Sequence, residues 1–302
     1  MSRPLSVGVQ LPEVEREVPF AELIPMARAA EAVGFDSIWL GDHLLYDLEV
    51  GPRGPHEVWT TLAALAACTE RVQLGPLVAS TSFHAPAMLA KLAATVDSIS
   101  EGRLVLGLGA GWNLREYTAF GFPYDRRVSR FEEAFTIVRT LLAEGRATFD
   151  GEFHAVDDCV LHPPPFTPGG PPLMVGSTGP RMLSITLPHV QMWNVWWSDY
   201  GNTPEGFAAV RADVDDAIAA AGRTGEVEGT CAVYVQLPDG GGRPMGDYPA
   251  GPTEPLRGDA SEIAEHLRRF ADAGAGHVQL VIDPITQPSI EWFAEVFAHL
   301  DR

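Results

Sequence analysis

The feature that most constrains the fold is a repeated unit: a short apolar run, a turn, and an amphipathic helical stretch. Eight such units fill the chain. The apolar runs, which predict strands, are Leu5–Leu11, Ser37–Gly41, Val72–Ala79, Leu104–Gly109, Leu173–Gly176, Val190–Val195, Cys231–Leu237 and Val278–Asp283. The helical stretches are Phe20–Val33, Val58–Cys68, Pro86–Ile99, Ser129–Glu144, Arg181–Leu187, Glu205–Ala221, Ser261–Ala273 and Ser289–Leu300. Apolar strands separated by helices indicate a parallel sheet that helices cover on both faces.

The length of 302 residues suits either two ordinary domains or one large α/β barrel. Eight strand–helix units favour a closed (β/α)8 TIM barrel that forms a single domain over residues 1–302. The alternative is an open doubly wound sheet, which typically carries Gly-x-Gly-x-x-Gly after its first strand. The nearest match, Gly107–Trp112, follows the fourth strand and lacks the third glycine. The sequence therefore predicts the barrel.

Three segments are longer than ordinary connections: residues 112–127, 145–172 and 238–258. The middle segment contains a predicted hairpin turn at Asp150-Gly151 and then a proline-rich run, Pro163–Pro172. Long insertions in a barrel of this kind commonly build or cover the ligand site at the carboxyl ends of the strands. We therefore expect these segments at that face.

The charge of the chain restricts its partners. Forty acidic residues against twenty-one basic ones give a formal net charge of −19, which repels nucleic-acid backbones and anionic membranes. Lys91 is the only lysine, and it lies in no Schiff-base or nucleotide-binding motif. We expect a small-molecule substrate, with no nucleic-acid or membrane partner.

The cysteines and the amino terminus suggest a cytoplasmic location. Cys68, Cys159 and Cys231 are odd in number and widely spaced, which is typical neither of a disulfide framework nor of a Cys-x-x-Cys site. The first residues lack the apolar core of a signal peptide, and no run of about eighteen apolar residues predicts a membrane span. We also expect the chain to form a homodimer.

The residues that directly follow the strands are the first candidates for chemistry, because active sites of such barrels lie at the carboxyl ends of the strands. Asp42-His43 follows strand two, and Ser80–Ser82 follows strand three. His43 is a candidate proton donor or acceptor, since the ordinary pKa of histidine lies near neutrality. A structural role for a single histidine remains the alternative.

A second candidate is the turn Gly176–Arg181 after strand five. Backbone N–H groups, two hydroxyls and Arg181 are expected to converge there, which suits a phosphate group without a lysine. Trp112 and Trp193 lie at strand ends and could stack on a flat cofactor, although core packing explains such residues equally well.

A metal-dependent hydrolase is the alternative from a different class. Asp42, His43, His56, Glu57 and His84 would have to supply its ligands. Strand one ends in Val9–Pro12 and offers no His-x-His pair of the kind that barrel metal sites often use. We therefore expect no metal.

Several stretches resemble the luciferase-like monooxygenase family, and in particular its coenzyme F420-dependent oxidoreductase branch. They are Ala32–His43, Glu70–Gly75, Ser82–Pro86, Leu89–Trp112 and Pro172–Ser177, and they occur in the family's order along nearly the whole chain. The stretch Lys91–Trp112 is the most specific. The resemblance implies hydride transfer between F420 and a small organic substrate, with an FMN-dependent monooxygenase as the alternative.

The resemblance also implies roles for individual residues. His43 would handle a proton beside the deazaflavin ring, with Asp42 next to the cofactor. Ser80-Thr81 matches the place of a non-prolyl cis peptide behind the ring, and Trp112 and Arg115 match cofactor contacts. The residues Gly176, Ser177, Thr178 and Gly179 match the phosphate-binding turn, and we expect Arg181 and Trp193 to take part in cofactor binding.

The chain departs from the family pattern at two places. At strand six, Gln191 replaces a common acid and Trp196-Trp197 follows the retained Trp-Asn pair. Phe83 stands directly before His84, where a basic residue is usual. These departures affect the substrate more than the fold. Because the chain has only one lysine, we expect a neutral or apolar substrate.

Overall fold

A parallel sheet forms the centre of this computed structural model, which describes residues 3–223, 225–244 and 253–302. The strands in these ranges are β1 (Ser6–Gln10), β2 (Ser37–Leu40), β3 (Tyr46–Leu48), β4 (Gly51–Arg53), β5 (Gln73–Pro76), β6 (Ala79–Ser80), β7 (Leu106–Gly109), β8 (Arg146–Asp150), β9 (Ala155–Val160), β10 (Leu173–Gly176), β11 (Met192–Val195), β12 (Glu228–Gln236) and β13 (His277–Asp283). The sheet runs β5-β2-β1-β13-β12-β11-β10-β7-β6. Each predicted strand contributes to it.

The sheet curves into a barrel, because both of its end segments come from the third predicted strand. That strand is divided into β5 and β6, and the non-prolyl cis peptide Leu77–Val78 lies between the two parts. While β6 pairs with β7, Leu74 of β5 forms a parallel bridge to Leu104 just before β7. Leu74 N donates to Arg103 O at 3.0 Å, and Val105 N donates to Leu74 O at 2.8 Å. The predicted α/β barrel is confirmed.

Nine α-helices occur in the described ranges: α1 (Phe20–Val33), α2 (Val58–Ala66), α3 (Pro86–Ile99), α4 (Leu114–Phe120), α5 (Arg127–Glu144), α6 (Pro180–Thr186), α7 (Pro204–Ala220), α8 (Ala260–Asp272) and α9 (Gln287–Leu300). Local chemistry sets their ends. Gly34 ends α1 with a φ of 104°, and Asp259 begins α8 with a capping box to Glu262. The sequence predicts eight of these helices, and it misses the short α4.

The long segments carry structure of their own. β8 and β9 form the hairpin predicted in the middle segment, but its loop spans residues 151–154, with Gly151 N donating to His154 O. A second hairpin, β3–β4, follows β2 and was not predicted. Residues 245–252 of the third segment lie outside the described residues.

Buried hydrophobic residues form two clusters, one on each face of the curved sheet. The larger one joins strand residues to helix residues and fills the layer between sheet and helices. The smaller one contains Trp39, Leu77, Val105, Met174 and Met192, has no helix residue among its buried members, and fills the barrel interior. The described helices include none with the length and apolarity that a bilayer crossing requires.

Candidate active site

A cavity of about 420 Å³ lies at the carboxyl ends of the barrel strands, a size typical of sites for small molecules and cofactors. Its walls come from the residues after β2, β6, β7, β10 and β11, together with residues from the loop after β1, from α4, α5 and α6, and from the segment after β12. Of the predicted site residues, the following line it: Asp42, His43, Ser80, Trp112, Gly176, Ser177, Thr178 and Gly179.

Two other predicted residues lie behind the cavity wall. Trp193 is fully buried, stacks on Phe207, and donates from Nε1 to Ser177 O at 2.7 Å. Thr81 is 1% exposed and begins a short 3-10 turn behind Ser80. Trp193 therefore supports the turn Gly176–Gly179 from below and does not present a stacking face to the cavity.

The two arginines expected at the cofactor are placed elsewhere. Arg115 Nε donates to Asp47 at 2.7 Å, and Arg181 Nη2 donates to Glu132 at 2.9 Å, with both side chains about half exposed. Neither lines the cavity. The arginines among the described lining residues are Arg127 and Arg243, and a role of Arg115 and Arg181 in cofactor binding stays a prediction.

The cis peptide is also displaced from its predicted position. The resemblance implies it at Ser80-Thr81, whereas the structure has it at Leu77–Val78. Val78 lines the cavity, and an added Cβ at Gly109 or Gly176 would approach the Val78 side chain to 2.8–3.0 Å. Only glycine therefore fits at positions 109 and 176 next to Val78, so these two positions add no side chain to this wall of the cavity.

His43 is held from one side by Glu116. Both carboxylate oxygens of Glu116 lie 3.1 Å from His43 Nδ1, and Oε1 also accepts from the backbone N–H of Leu44 and Leu45. Because the carboxylate is an acceptor, Nδ1 carries the proton and the second ring nitrogen, Nε2, holds the lone pair of the neutral ring. Trp112 and Tyr46 contact the ring at centroid distances of 5.5 and 4.8 Å.

Glu13 lies on the other side of His43, 3.8 Å from Nε2 and beyond hydrogen-bond distance. Its carboxylate is 3% exposed and accepts from Gln10 Nε2 and Tyr46 Oη, both at 2.6 Å, and from Arg243 Nη2 at 2.9 Å. Arg243 in turn donates from Nε to Glu15 at 2.5 Å. The charged or titratable side chains of Glu15, Arg243, Glu13, His43 and Glu116 therefore lie next to one another in this order.

Burial and charge shift the pKa values of this cluster. Burial raises the pKa of Asp42 to about 7, although the Ser80 N–H, 2.8 Å from Oδ2, favours the ionised form. Burial opposes protonation of His43, but the hydrogen bond with Glu116 and the charges of Glu13 and Glu116 outweigh it and raise the pKa of His43. For Glu13, the charges of His43 and Arg243 and the Tyr46 hydroxyl outweigh burial and lower the pKa.

The sequence prediction missed Glu13, Glu116 and Arg243. Glu13 follows β1 as closely as His43 follows β2, so its position was a usable signal. Glu116 lies four residues after Trp112, inside a segment already expected at the mouth. Arg243 lies in the segment after β12, where no local pattern distinguishes one polar residue from another.

The residues of the metal alternative are not gathered into one site. His56 contacts the Val18 carbonyl at 2.9 Å, and Glu57 caps α2 by accepting from Trp59 and Thr60. Within the described ranges, no cluster of three or more His, Cys, Asp or Glu side chains could hold a metal ion.

Comparison with known proteins identifies the class. The model of the luciferase-like monooxygenase family matches residues 5–239. The chain therefore belongs to this family of enzymes, as its sequence motifs indicate.

Two curated proteins show which enzymes of the family the chain is similar to. The chain is 32% identical over 209 residues to an F420-dependent glucose-6-phosphate dehydrogenase of Microbacterium testaceum, covering 67% of this chain and 60% of that protein. It is 30% identical over 219 residues to a 5,10-methylenetetrahydromethanopterin reductase of Archaeoglobus fulgidus, covering 72% and 60%. The chain thus spans about three fifths of the length of these curated relatives.

A solved structure confirms the fold. An F420-dependent secondary alcohol dehydrogenase in complex with an F420–acetone adduct superposes with a TM-score of 0.82 at 20% identity, over 99% of both chains.

Proposed function

We propose that this chain is an F420-dependent oxidoreductase that transfers a hydride between the cofactor and a small organic substrate. The observation that carries the proposal is one cavity that is lined both by the turn Gly176–Gly179 and by the hydrogen-bonded pair His43–Glu116. Relatives named as F420-dependent enzymes support this choice of cofactor.

The described residues fit a flat cofactor that carries a phosphate. Ser177 and Thr178 line the cavity beside Gly179, where an added Cβ would meet only the Ser177 hydroxyl, at 3.6 Å. Glycines and Val78 form a smooth wall on which a ring system can lie. Bound there, F420 would supply the carbon centre that accepts or donates the hydride.

The chain's own contribution is to hold a proton next to the reacting carbon. For an alcohol substrate, His43 Nε2 would accept the O–H proton as the C=O bond forms, while bound F420 would take up the hydride from the C–H bond. Glu116 fixes the ring orientation and stabilises the resulting imidazolium. Burial raises the pKa of Asp42 to about 7, so its neutral form would be available as a hydrogen-bond donor to the cofactor.

Equilibrium titration of the purified chain with F420 and with FMN tests the proposal, with tryptophan fluorescence as the readout. We expect F420 to bind saturably and at least about tenfold more tightly than FMN. Tighter binding of FMN would replace the proposal with its alternative, an FMN-dependent monooxygenase. Failure of both cofactors to bind would overturn cofactor chemistry at this cavity.

A matched pair of variants locates the binding. Gly179→Leu places a side chain in the turn without a backbone clash and should weaken F420 binding by about tenfold or more. Gly225→Leu introduces the same side chain in the loop between α7 and β12, at the opposite face of the barrel, and should leave binding unchanged.

A homodimer and a cytoplasmic location remain predictions.

A further inference from the structure

A second cavity, of about 460 Å³, lies next to the cavity that His43 lines, which we call the reaction cavity. The walls of the second cavity come from the loop after β1, the end of β2, the hairpin β3–β4 and its flanking residues, α1 and α2. Among the described residues, Glu13 alone lines both cavities. The proposed hydride transfer uses none of the other side chains of the second cavity, although its volume is typical of a small-molecule site.

The floor of the second cavity is buried and mainly apolar. Leu23 and Leu40 are 3% and 6% exposed, and Pro12 is buried beside them. Glu13 also lines the cavity, but three protein donors already bond its carboxylate oxygens. A molecule that fills this space therefore needs an apolar body, which removes the leucine and proline surfaces from water.

The hydroxyl of Thr61 is a polar group on this floor without a protein partner. Thr61 is 2% exposed and lines the cavity from α2. Its backbone N–H donates to Glu57 O at 3.1 Å, whereas no hydrogen bond joins its hydroxyl to a described residue. The neighbouring Thr60 hydroxyl, by contrast, donates to Glu57 Oε2 at 2.6 Å. Because a buried hydroxyl is costly to leave unbonded, the Thr61 hydroxyl favours an occupant that brings a polar atom to it.

Arg53 supplies a cation with unused donors. Its Nη1 donates to Glu15 O at 2.8 Å and to Val14 O at 3.5 Å. Its Nε and Nη2 groups bond to no described residue, and it pairs with no described carboxylate. Arg16, the other arginine of the lining, is instead paired with Glu22 at 2.6 Å. The Nε and Nη2 groups form one edge of the guanidinium, which suits a carboxylate that accepts two parallel hydrogen bonds.

We propose that the second cavity binds a small carboxylate that has an apolar body and a second polar group. The carboxylate pairs with Nε and Nη2 of Arg53, the body packs against Leu23 and Leu40, and the second polar group bonds to the Thr61 hydroxyl. A dianion fits less well, because its additional charge would meet Glu17, an exposed carboxylate of the same lining. This site is independent of the proposed function, since it has its own walls and its own cation.

Titration of the purified chain with 4-hydroxybenzoate tests the proposal. This probe carries a carboxylate, an apolar ring and a hydroxyl, and 4-hydroxybenzamide is its uncharged counterpart. The readouts are the ¹⁵N signal of the Arg53 Nε–H group, assigned with Arg53→Lys, and the methyl signal of Thr61, assigned with Thr61→Val. We expect both signals to shift saturably with a single Kd that is at least about tenfold lower than the Kd of the amide.

Two arginine variants distinguish the cavities, with the Thr61 methyl signal as the readout. Arg53→Gln should weaken binding of 4-hydroxybenzoate by about tenfold or more, because it removes the charge that pairs with the carboxylate. Arg127→Gln removes an arginine of the reaction cavity and should leave the Kd within about twofold of wild type. The opposite pattern would place the carboxylate in the reaction cavity and overturn the inference.

A second pair of variants tests the site without touching Arg53, which also ties the hairpin β3–β4 to the loop after β1. Val18→Trp fills the second cavity from its wall, whereas Val50→Trp adds the same ring at a position that is 72% exposed and outside the lining. We expect Val18→Trp to abolish the saturable shift of the Arg53 signal and Val50→Trp to retain it. Wild-type affinity in Val18→Trp, or no saturable shift in the wild type, overturns the inference.

Discussion

At the scale of single residues, the proposed chemistry depends on how His43 is surrounded. Glu116 fixes its Nδ1 proton, and Glu13 lies 3.8 Å from Nε2 without bonding to it. Nε2 therefore stays available to a substrate oxygen. Both carboxylates raise the pKa of the imidazole, so a larger fraction of it is protonated near neutral pH than in an ordinary histidine.

His43→Gln should lower turnover by roughly 10²–10⁴-fold while F420 binding stays within about twofold of wild type, because the variant loses the proton acceptor but keeps the cavity. In the direction of alcohol oxidation, wild-type rates should rise as the pH passes the raised pKa of His43, since only the neutral ring accepts the proton. Steady-state rates across the pH range measure both effects.

His84→Gln is the matched control, because His84 does not line the cavity. It should retain wild-type rates and the same pH profile. Unchanged turnover in His43→Gln would remove His43 from the mechanism.

Asp42→Asn should stabilise the protein at alkaline pH. The folded-state pKa of Asp42 is about 7 against an ordinary 3.8, so the folded state loses stability as the pH rises between these values. Asn keeps an oxygen for the Ser80 N–H and carries no charge. At 1.36 kcal/mol per pKa unit, we expect a gain of roughly 2–4 kcal/mol at pH 8 and a smaller gain at pH 5.

Urea unfolding of the wild type and Asp42→Asn at both pH values measures this difference. Asp150→Asn removes the same charge from an exposed hairpin position and should change stability little at either pH. A gain for Asp42→Asn that is equal at pH 5 and pH 8 would contradict a buried carboxyl with a raised pKa.

Sequence alone indicates some of these residues and not others, for a physical reason. Asp42 and His43 follow an apolar strand directly, so their place at the carboxyl end can be inferred. Arg115 and Arg181 are equally close to strand ends, yet each pairs with a nearby surface carboxylate. Which carboxylate an arginine binds depends on tertiary distances that no local pattern encodes.

At the scale of elements, the strands were predictable because eight apolar runs mark the buried sheet. The division of the third run into β5 and β6 was not predicted, although Gly75-Pro76 interrupts Val72–Ala79 and such residues mark breaks or bulges in strands. The helix α4 has only seven residues, of which Glu116 and Tyr117 are buried, so it shows no helical periodicity. It is nevertheless the element that carries Glu116 to His43.

The cap of α4 offers a test of that role. Asn113 is 2% exposed, accepts from Arg115 N at 3.1 Å and donates to Leu45 O at 3.0 Å, so it ties α4 to the backbone after His43. Asn113→Ala should cost about 1–2 kcal/mol of stability and lower turnover by about tenfold, because Glu116 loses its fixed position.

Thr203→Ala is the control, since Thr203 caps α7 by accepting from Gly206 N and does not line the cavity. It should lose about 1 kcal/mol of stability and keep its turnover. Thermal unfolding and steady-state kinetics distinguish the two variants. Equal turnover in both would show that α4 does not position Glu116 for the reaction.

At the scale of the whole molecule, a net charge of −19 surrounds a site that, under the proposed function, has to hold an anionic cofactor. Arg127 and the turn Gly176–Gly179 line the same cavity as the carboxylates Glu13 and Glu116. The barrel brings these groups to one cavity, because consecutive strands deliver their following residues to different points around one mouth.

The central claim is that F420 binds in this cavity with its reacting ring beside His43. A crystal structure of the F420 complex tests it most directly. We predict the ring against Val78 and within hydrogen-bond reach of Asp42, with the phosphate at Ser177 and Thr178. A ring bound outside the cavity, or a phosphate held near Arg243, would contradict the account.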